Sequence, residues 1–237
     1  LIDKYLLIPL GMDSSTFVRA IAKEGRMLAQ GYALVDDQIQ PVDFCDTRYI
    51  ASSAGLYSNA KDMIRWLQLQ LSGGIRDTRQ IISHESLAWT HRPHMLESSA
   101  GSLTNGVTTY GQGWRQIQLH GHTVICHGGS FNGHRSFMGF IPGKETGILA
   151  LTNLNLTEGS TVAGMIGLDH LLGIDNVDER IANGLAVSQW FRERDAQAAQ
   201  RFADGRNSGN LPTYDLAQYQ GIYTHPGYGT FTVEMIE

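Results

Sequence analysis

The run Cys126-His-Gly-Gly-Ser-Phe-Asn-Gly-His-Arg-Ser-Phe-Met-Gly-Phe-Ile-Pro142 sets glycine-rich turn chemistry between two strand-forming segments. Upstream, Trp114-Arg-Gln-Ile-Gln-Leu119 alternates, His120-Gly121 can turn, and Thr123-Val-Ile-Cys126 returns. Downstream, Phe137-Met-Gly-Phe-Ile141, a Pro142-Gly143 turn and Gly147-Ile-Leu-Ala-Leu151 read as a second hairpin. Period-two alternation punctuated by turn residues predicts successive hairpins, hence an antiparallel sheet.

Helical patterns flank this block. Leu1 to Met12 reads as a helix end running into Pro9, with Gly11 as a stop. Met12 to Ala51 shows little periodicity and is expected to hold loops and short strands. Ser58 to Leu71 is the clearest helix: Ser58 can N-cap it, and Met63, Leu67 and Leu71 share one face with Ala60 and Ile64 beside them. Gly73-Gly74 then supplies a left-handed stop. Ile82 to Thr90 is a weaker helix, and Thr161 to Leu172 another, ending at Gly173. The order of helices, antiparallel sheet and helix predicts an α+β architecture with helices packed on the sheet. Val177 to Ala203 is polar and Ala-rich, weakly amphipathic through Ile181, Leu185 and Phe202. Asp204-Gly-Arg-Asn-Ser-Gly-Asn210 has linker composition, and Tyr214 to Glu237 is aromatic, Gly-punctuated and strand-prone. The predicted division is 1–175, a helical linker over 176–212, and the opening of a β-rich domain over 213–237.

Composition narrows the function. The 237 residues can bury roughly 70% of the unfolded surface, so folding needs no disulfide or metal. Eighteen Lys and Arg against 23 Asp and Glu give −5, which argues against a nucleic-acid partner. Cys45 and Cys126 are too few for a disulfide scaffold. No apolar run reaches the ~18 residues of a membrane span. Residue 1 reads as mid-domain, so the absence of a visible signal peptide carries no information on export.

The segment from Cys126 to Pro142 resembles the third signature of the serine β-lactamase-like hydrolases, the family of class C β-lactamases, D-alanyl-D-alanine carboxypeptidases, penicillin-binding proteins and related esterases. There a Lys-Thr-Gly or His-x-Gly triplet lies on a strand lining the catalytic cleft, and a Gly-rich bend and a strand ending in Phe-Ile-Pro follow. The triplet here is His127-Gly128-Gly129. Pro9-Leu-Gly-Met12, Ser53-Ala-Gly-Leu-Tyr-Ser-Asn-Ala-Lys-Asp-Met63, Tyr110-Gly-x-Gly-Trp114 and the strand leading to Asn153 are similar to other family segments, in the same order. Tyr219 to Tyr228 resembles the first strand of the lipocalin-like barrel that follows the catalytic domain in some members. The resemblance covers residues 1 to about 173. It implies a β-lactamase/transpeptidase-like fold, incomplete at its N-terminal side, and periplasmic or extracellular localisation.

The resemblance also implies a chemistry. The family acylates the serine of a Ser-x-x-Lys motif, and the tyrosine of a Tyr-x-Asn motif relays protons. Both motifs precede the Pro-Leu-Gly-Met segment in the family, so here they are expected before Leu1. Ser58-Asn-Ala-Lys61 and Tyr57-Ser-Asn59 match them literally but overlap and follow Pro9-Leu-Gly-Met12, so Ser58 is read as a helix cap and Lys61 as a solvated residue. This chain alone is therefore expected to be inactive, and to self-associate or pair with the missing N-terminal part. By the resemblance, the Ser130 backbone N–H is an oxyanion donor and His127 a catalytic residue, acting by hydrogen bonding or proton relay where other members carry Lys. Gly128 and Gly129 let a substrate backbone approach and pair with this edge strand, and Asn132 and His134 are placed at the cleft. The implied substrate is a β-lactam, a D-amino-acid peptide or an ester, with no cofactor and no metal. His120, His122, His127 and His134 have no acidic neighbour between Trp114 and Lys144 to complete a metal site. A non-catalytic module binding peptidoglycan fragments or a partner protein is the alternative.

Overall fold

The computed structural model describes residues 1–17, 28–35, 38–45, 47, 50–97, 107–155, 157–205 and 211–236. They fall into two compact units, Leu1–Arg192 and Glu193–Glu237. Part of the expected linker, 206–210, lies outside the described residues.

In chain order the helices are α1 (Ile8–Leu10, continuing a π-helical turn over Asp3–Leu7), α2 (Ala51–Ala54), α3 (Ala60–Leu71), α4 (His84–His91), α5 (Gly159–Leu171) and α6 (Val177–Gly205). The strands are β1 (Tyr32–Val35), β2 (Gln38–Pro41), β3 (Ile75–Arg76), β4 (Arg79–Gln80), β5 (Met95–Glu97), β6 (Thr108–Tyr110), β7 (Arg115–Leu119), β8 (His122–Phe131), β9 (His134–Ile141), β10 (Thr146–Thr152), β11 (Gly221–His225) and β12 (Gly229–Val233). The opening helix runs through Pro9 and stops at Gly11, whose φ of 66° supplies the left-handed cap.

Strands β5 to β10 form one six-stranded antiparallel sheet in the order β10-β9-β8-β7-β6-β5. Two-residue turns set its central register. His120 and Gly121 have φ of 48° and 80°, and Asn132 and Gly133 have 47° and 81°. Consecutive left-handed residues match the twist of the strands they join, which is why Gly takes the second place and His or Asn, tolerant of positive φ, the first. The pairs Leu119↔His122 and Phe131↔His134 close these hairpins.

Alternation then sorts side chains to two faces. Ile117, Leu119, Val124, Cys126, Phe137 and Ile141 pack against Met165 and Leu168 of α5. Ile125, Met138 and Phe140 pack with Trp114 against Leu67 of α3. Helices thus cover both faces, as the α+β reading predicts. Each buried aliphatic or aromatic side chain stabilises the sandwich by about 1.5–3 kcal/mol.

Several local expectations are corrected. Helix α3 is capped by Asn59, whose side chain accepts from the Asp62 N–H at 3.0 Å; Ser58 stands one residue too early and its Oγ lies 2.7 Å from Ser15 Oγ. On α3 the predicted Met63, Leu67 and Leu71 do pack into one core cluster, but the fully buried residues are Asp62, Leu67, Leu69 and Gln70, and Ile64 is exposed. Asp62 is buried because its carboxylate accepts from the Ser14 N–H at 2.8 Å and from Ser15 Oγ at 2.9 Å. In α6 the buried residues are Arg180, Gly184 and Ser188, while Ile181, Leu185 and Phe202 are exposed. Close approach and pairing outweigh apolarity there. A Cβ on Gly184 would come within 2.2 Å of Val162, and Arg180 holds the buried Asp169 through bonds of 2.7 and 3.1 Å.

In the second unit β11 and β12 pair as a hairpin whose Tyr223 and Phe231 rings stack at 5.2 Å.

Candidate active site

Strand β8 has two different halves. From His122 to Cys126 it pairs with β7, and from Ile125 onward it pairs with β9. Beyond Arg115↔Cys126 its pairing with β7 stops, because the chain turns at Gly111–Trp114, where the Gly111 N–H donates to the Trp114 carbonyl at 2.7 Å. Among the described residues, 127–131 pair with β9 alone, so this half of the strand leaves its β7 side unpaired. Hydrogen-bonded and non-hydrogen-bonded pairs alternate along an antiparallel ladder. Counting back from the Phe131↔His134 pair that closes the two-residue turn, Gly129↔Ser136 and His127↔Met138 exchange hydrogen bonds, and Ser130↔Arg135 and Gly128↔Phe137 do not. The backbone N–H and C=O of Gly128 and Ser130 therefore point away from β9, along the free edge.

His127 stands at the start of this overhang. Its Nε2 is 3.0 Å from the Tyr110 hydroxyl on β6, with the rings edge to face at 5.8 Å. The Arg115 guanidinium on β7 lies over the Tyr110 ring, 5.5 Å from its centroid, and grips Glu97 on β5 through bonds of 2.7 and 2.8 Å. Burial lowers the His127 pKa and the Arg115 charge adds to this; the Gly128 backbone and Glu97 oppose it. Arg115 in turn holds the Glu97 carboxyl below, and Glu97 holds Arg115 above, its ordinary value. The result is a neutral imidazole beside a fixed ion pair. Behind it, burial pushes the Cys126 thiol up to about 12, leaving it un-ionised.

The remaining predicted residues divide. Gly128, Gly129 and Ser130 follow His127 on the free edge, and Ser130 Oγ donates to Asn155 Oδ1 at 2.9 Å. Asn132 forms the apex of the β8–β9 turn. The two ring nitrogens of His134 lie 3.0 Å from the carbonyl oxygens of Asn132 and Ala29, so they clamp the turn against the segment leading to β1. That crossing is tight: a Cβ on Gly31 would come within 2.5 Å of the Asn132 oxygen. His120 is turned elsewhere, its Nε2 3.1 Å from the buried Asp169. Tyr110, Arg115 and Glu97 were not singled out from the sequence, although Tyr110 and Trp114 belong to a quoted motif. Among the described residues no three His, Cys, Asp or Glu side chains converge on a common point.

The model of the family described as Beta-lactamase matches residues 1–172. The chain belongs to the beta-lactamase family. Two curated relatives are the unguisins hydrolases ungD' of Aspergillus campestris (24% identical over 95% of this chain) and ungD of Aspergillus violaceofuscus (26% over 97%). The chain spans 43% and 44% of their lengths. Among solved structures, an octameric penicillin-binding protein homologue from Pyrococcus abyssi matches with a TM-score of 0.63 at 25% identity, over 73% of this chain and 37% of that one. A class C beta-lactamase matches with a TM-score of 0.51 at 20% identity, over 78% and 49%, and shares the fold. The α+β sandwich described above is thus the beta-lactamase/transpeptidase-like fold.

Within this family member, the free half of β8 can accept an extended backbone in the plane of the sheet and offers the Ser130 N–H to a carbonyl oxygen. The neutral imidazole of His127 can accept or donate one hydrogen bond but supplies no fixed charge.

Proposed function

We propose that this chain forms one wall of the cleft of a serine hydrolase that cleaves an amide or ester through an acyl-serine intermediate. The nucleophile comes from a Ser-x-x-Lys motif outside these 237 residues. The observation that carries the reading is the edge at 127–131 left unpaired with β7, where the register directs the Ser130 N–H away from β9. A substrate carbonyl laid against it would accept that N–H. As the serine oxygen adds, charge develops on the carbonyl oxygen and the same bond strengthens. The neighbouring Gly128 lets the substrate main chain pair with the strand without side-chain obstruction. With a neutral His127 in place of a fixed cation, D-amino-acid peptides and esters fit better than ligands that need a lysine for their carboxylate. The hydrolase names of the two fungal relatives support the reaction class.

Ser130→Pro and Ser130→Ala separate the backbone donor from the side chain. Proline removes an N–H that β9 does not use, and edge positions tolerate it. In the protein that carries the nucleophile, Ser130→Pro should lower kcat by about 10²–10³, the value of one oxyanion donor, while Ser130→Ala stays within a few-fold. Equal and small effects of both would contradict the reading. Binding of peptidoglycan fragments with no turnover would replace it by a non-catalytic module.

A further inference from the structure

Packing sorts the two faces of the β8–β9 hairpin. Ile125, Met138 and Phe140 pack toward α3, and Cys126, Phe137 and Ile141 toward α5. By alternation His127 and Gly129 of β8, and His134 and Ser136 of β9, stand on the α3 side. Gly129 and Ser136 are directly opposite each other in the register. A Cβ on Gly129 would come within 2.8 Å of Ser136 Oγ, so the hydroxyl lies across the notch that the glycine leaves. Gly129 is exposed and Ser136 half-buried.

The other polar side chains on this face are committed. His127 faces the Tyr110 hydroxyl through Nε2, and His134 clamps the turn through both ring nitrogens. On the opposite face, the Ser130 hydroxyl donates to Asn155. The Ser136 hydroxyl has no hydrogen-bond partner among the described residues. It is thus the hydrogen-bonding group left over beside the unpaired edge.

We propose that Ser136 is a specificity-determining residue: its hydroxyl receives an uncharged polar group, such as an amide, from the acyl portion of a substrate held at the Ser130 N–H. This rests on the function proposed above and narrows its substrate class. A substrate backbone laid on the edge of β8 lies one strand spacing, about 4.8 Å, from β8 and two from β9, so a group reaches Ser136 only by extending over Gly129. The absent side chain at 129 leaves that path open. A hydroxyl both donates and accepts, which matches the N–H or C=O of an amide, and it brings no charge for a carboxylate. Peptide-like acyl groups are therefore preferred to plain alkyl ones.

The test compares two p-nitrophenyl esters of equal acyl length, hexanoate and N-acetyl-β-alaninate, in the protein that carries the nucleophile. Ser136→Ala should lower kcat/KM for the amide-bearing ester by about three- to tenfold, the value of one neutral hydrogen bond. The loss should fall on KM, with kcat little changed. Hexanoate should be unaffected, and Ser136→Thr, which keeps the hydroxyl, should retain the wild-type ratio of the two esters. Hydrolysis with a ratio unchanged by Ser136→Ala, or with both esters slowed alike, overturns this inference and leaves the proposed function standing. No hydrolysis of either ester by the wild-type protein would overturn the proposed function and this inference with it.

Discussion

At His127 two influences oppose two others. Burial and then the Arg115 charge favour the neutral ring; the Gly128 backbone and Glu97 favour the charged one. The first pair prevails, so the ring keeps its lone pair at a lower pH than a free imidazole does. Arg115→Gln removes one of the prevailing causes and frees Glu97 to act unopposed. The His127 titration, followed by NMR, should then move up, and the acid limb of the proposed hydrolase's pH–rate profile should move up with it. His127→Ala should lower kcat by about 10²–10⁴ if the ring takes part in proton transfer. If it only holds substrate, KM rises and kcat changes little. His127 and Ser130 were legible in the sequence because the glycines and the Asn132-Gly133 turn announce their strand locally. Tyr110, Arg115 and Glu97 were not, because sheet order, which no local pattern encodes, brings them to the ring.

At the scale of elements, the pattern located every strand of the central sheet from β7 to β10. Boundaries and faces were harder. Ser58 and Asn59 are both good capping residues, and only the extended backbone of Asn59, with its bond to the Asp62 N–H, decides between them. Asn59→Ala should therefore cost about 1 kcal/mol in denaturant unfolding, and Ser58→Ala only a few tenths. Equal costs would show that the Ser15–Ser58 contact matters as much as the cap. In α6 an apolar stripe was the wrong signal, since the helix packs through Gly184 and Ser188. Ser188 Oγ accepts from the Glu158 N–H at 2.9 Å and donates to the Gly184 carbonyl at 2.7 Å. Small residues leave no trace in hydrophobic periodicity.

For the whole molecule, the titration of buried groups gives stability a sign with pH. Burial lowers the pKa of His91, whose Nε2 lies 2.8 Å from Gln70 Oε1, and that of His127. In the unfolded chain both rings take up a proton near pH 6.5, about the ordinary value, while the folded rings do so only lower. Between those points the unfolded state holds more protons, so stability is full above about pH 6.5 and falls as the pH drops through the window. Glu97, lowered chiefly by its bond to Arg115, adds a loss further down, below its ordinary 4.5. Thermal unfolding between pH 7 and 5 should thus show a falling midpoint, and His91→Gln should flatten that fall. A midpoint independent of pH would mean that neither ring is held neutral.

The central claim concerns the partition of the site: this beta-lactamase-family chain carries the wall with His127 and Ser130, and the serine nucleophile comes from elsewhere. Labelling with a fluorophosphonate probe, read by peptide mass spectrometry on the 237-residue chain beside a longer protein that contains it, tests this most directly. The account predicts no label on the chain alone and one labelled serine, within a Ser-x-x-Lys motif outside these residues, in the longer protein. Stoichiometric labelling of Ser58 in the chain alone would contradict it.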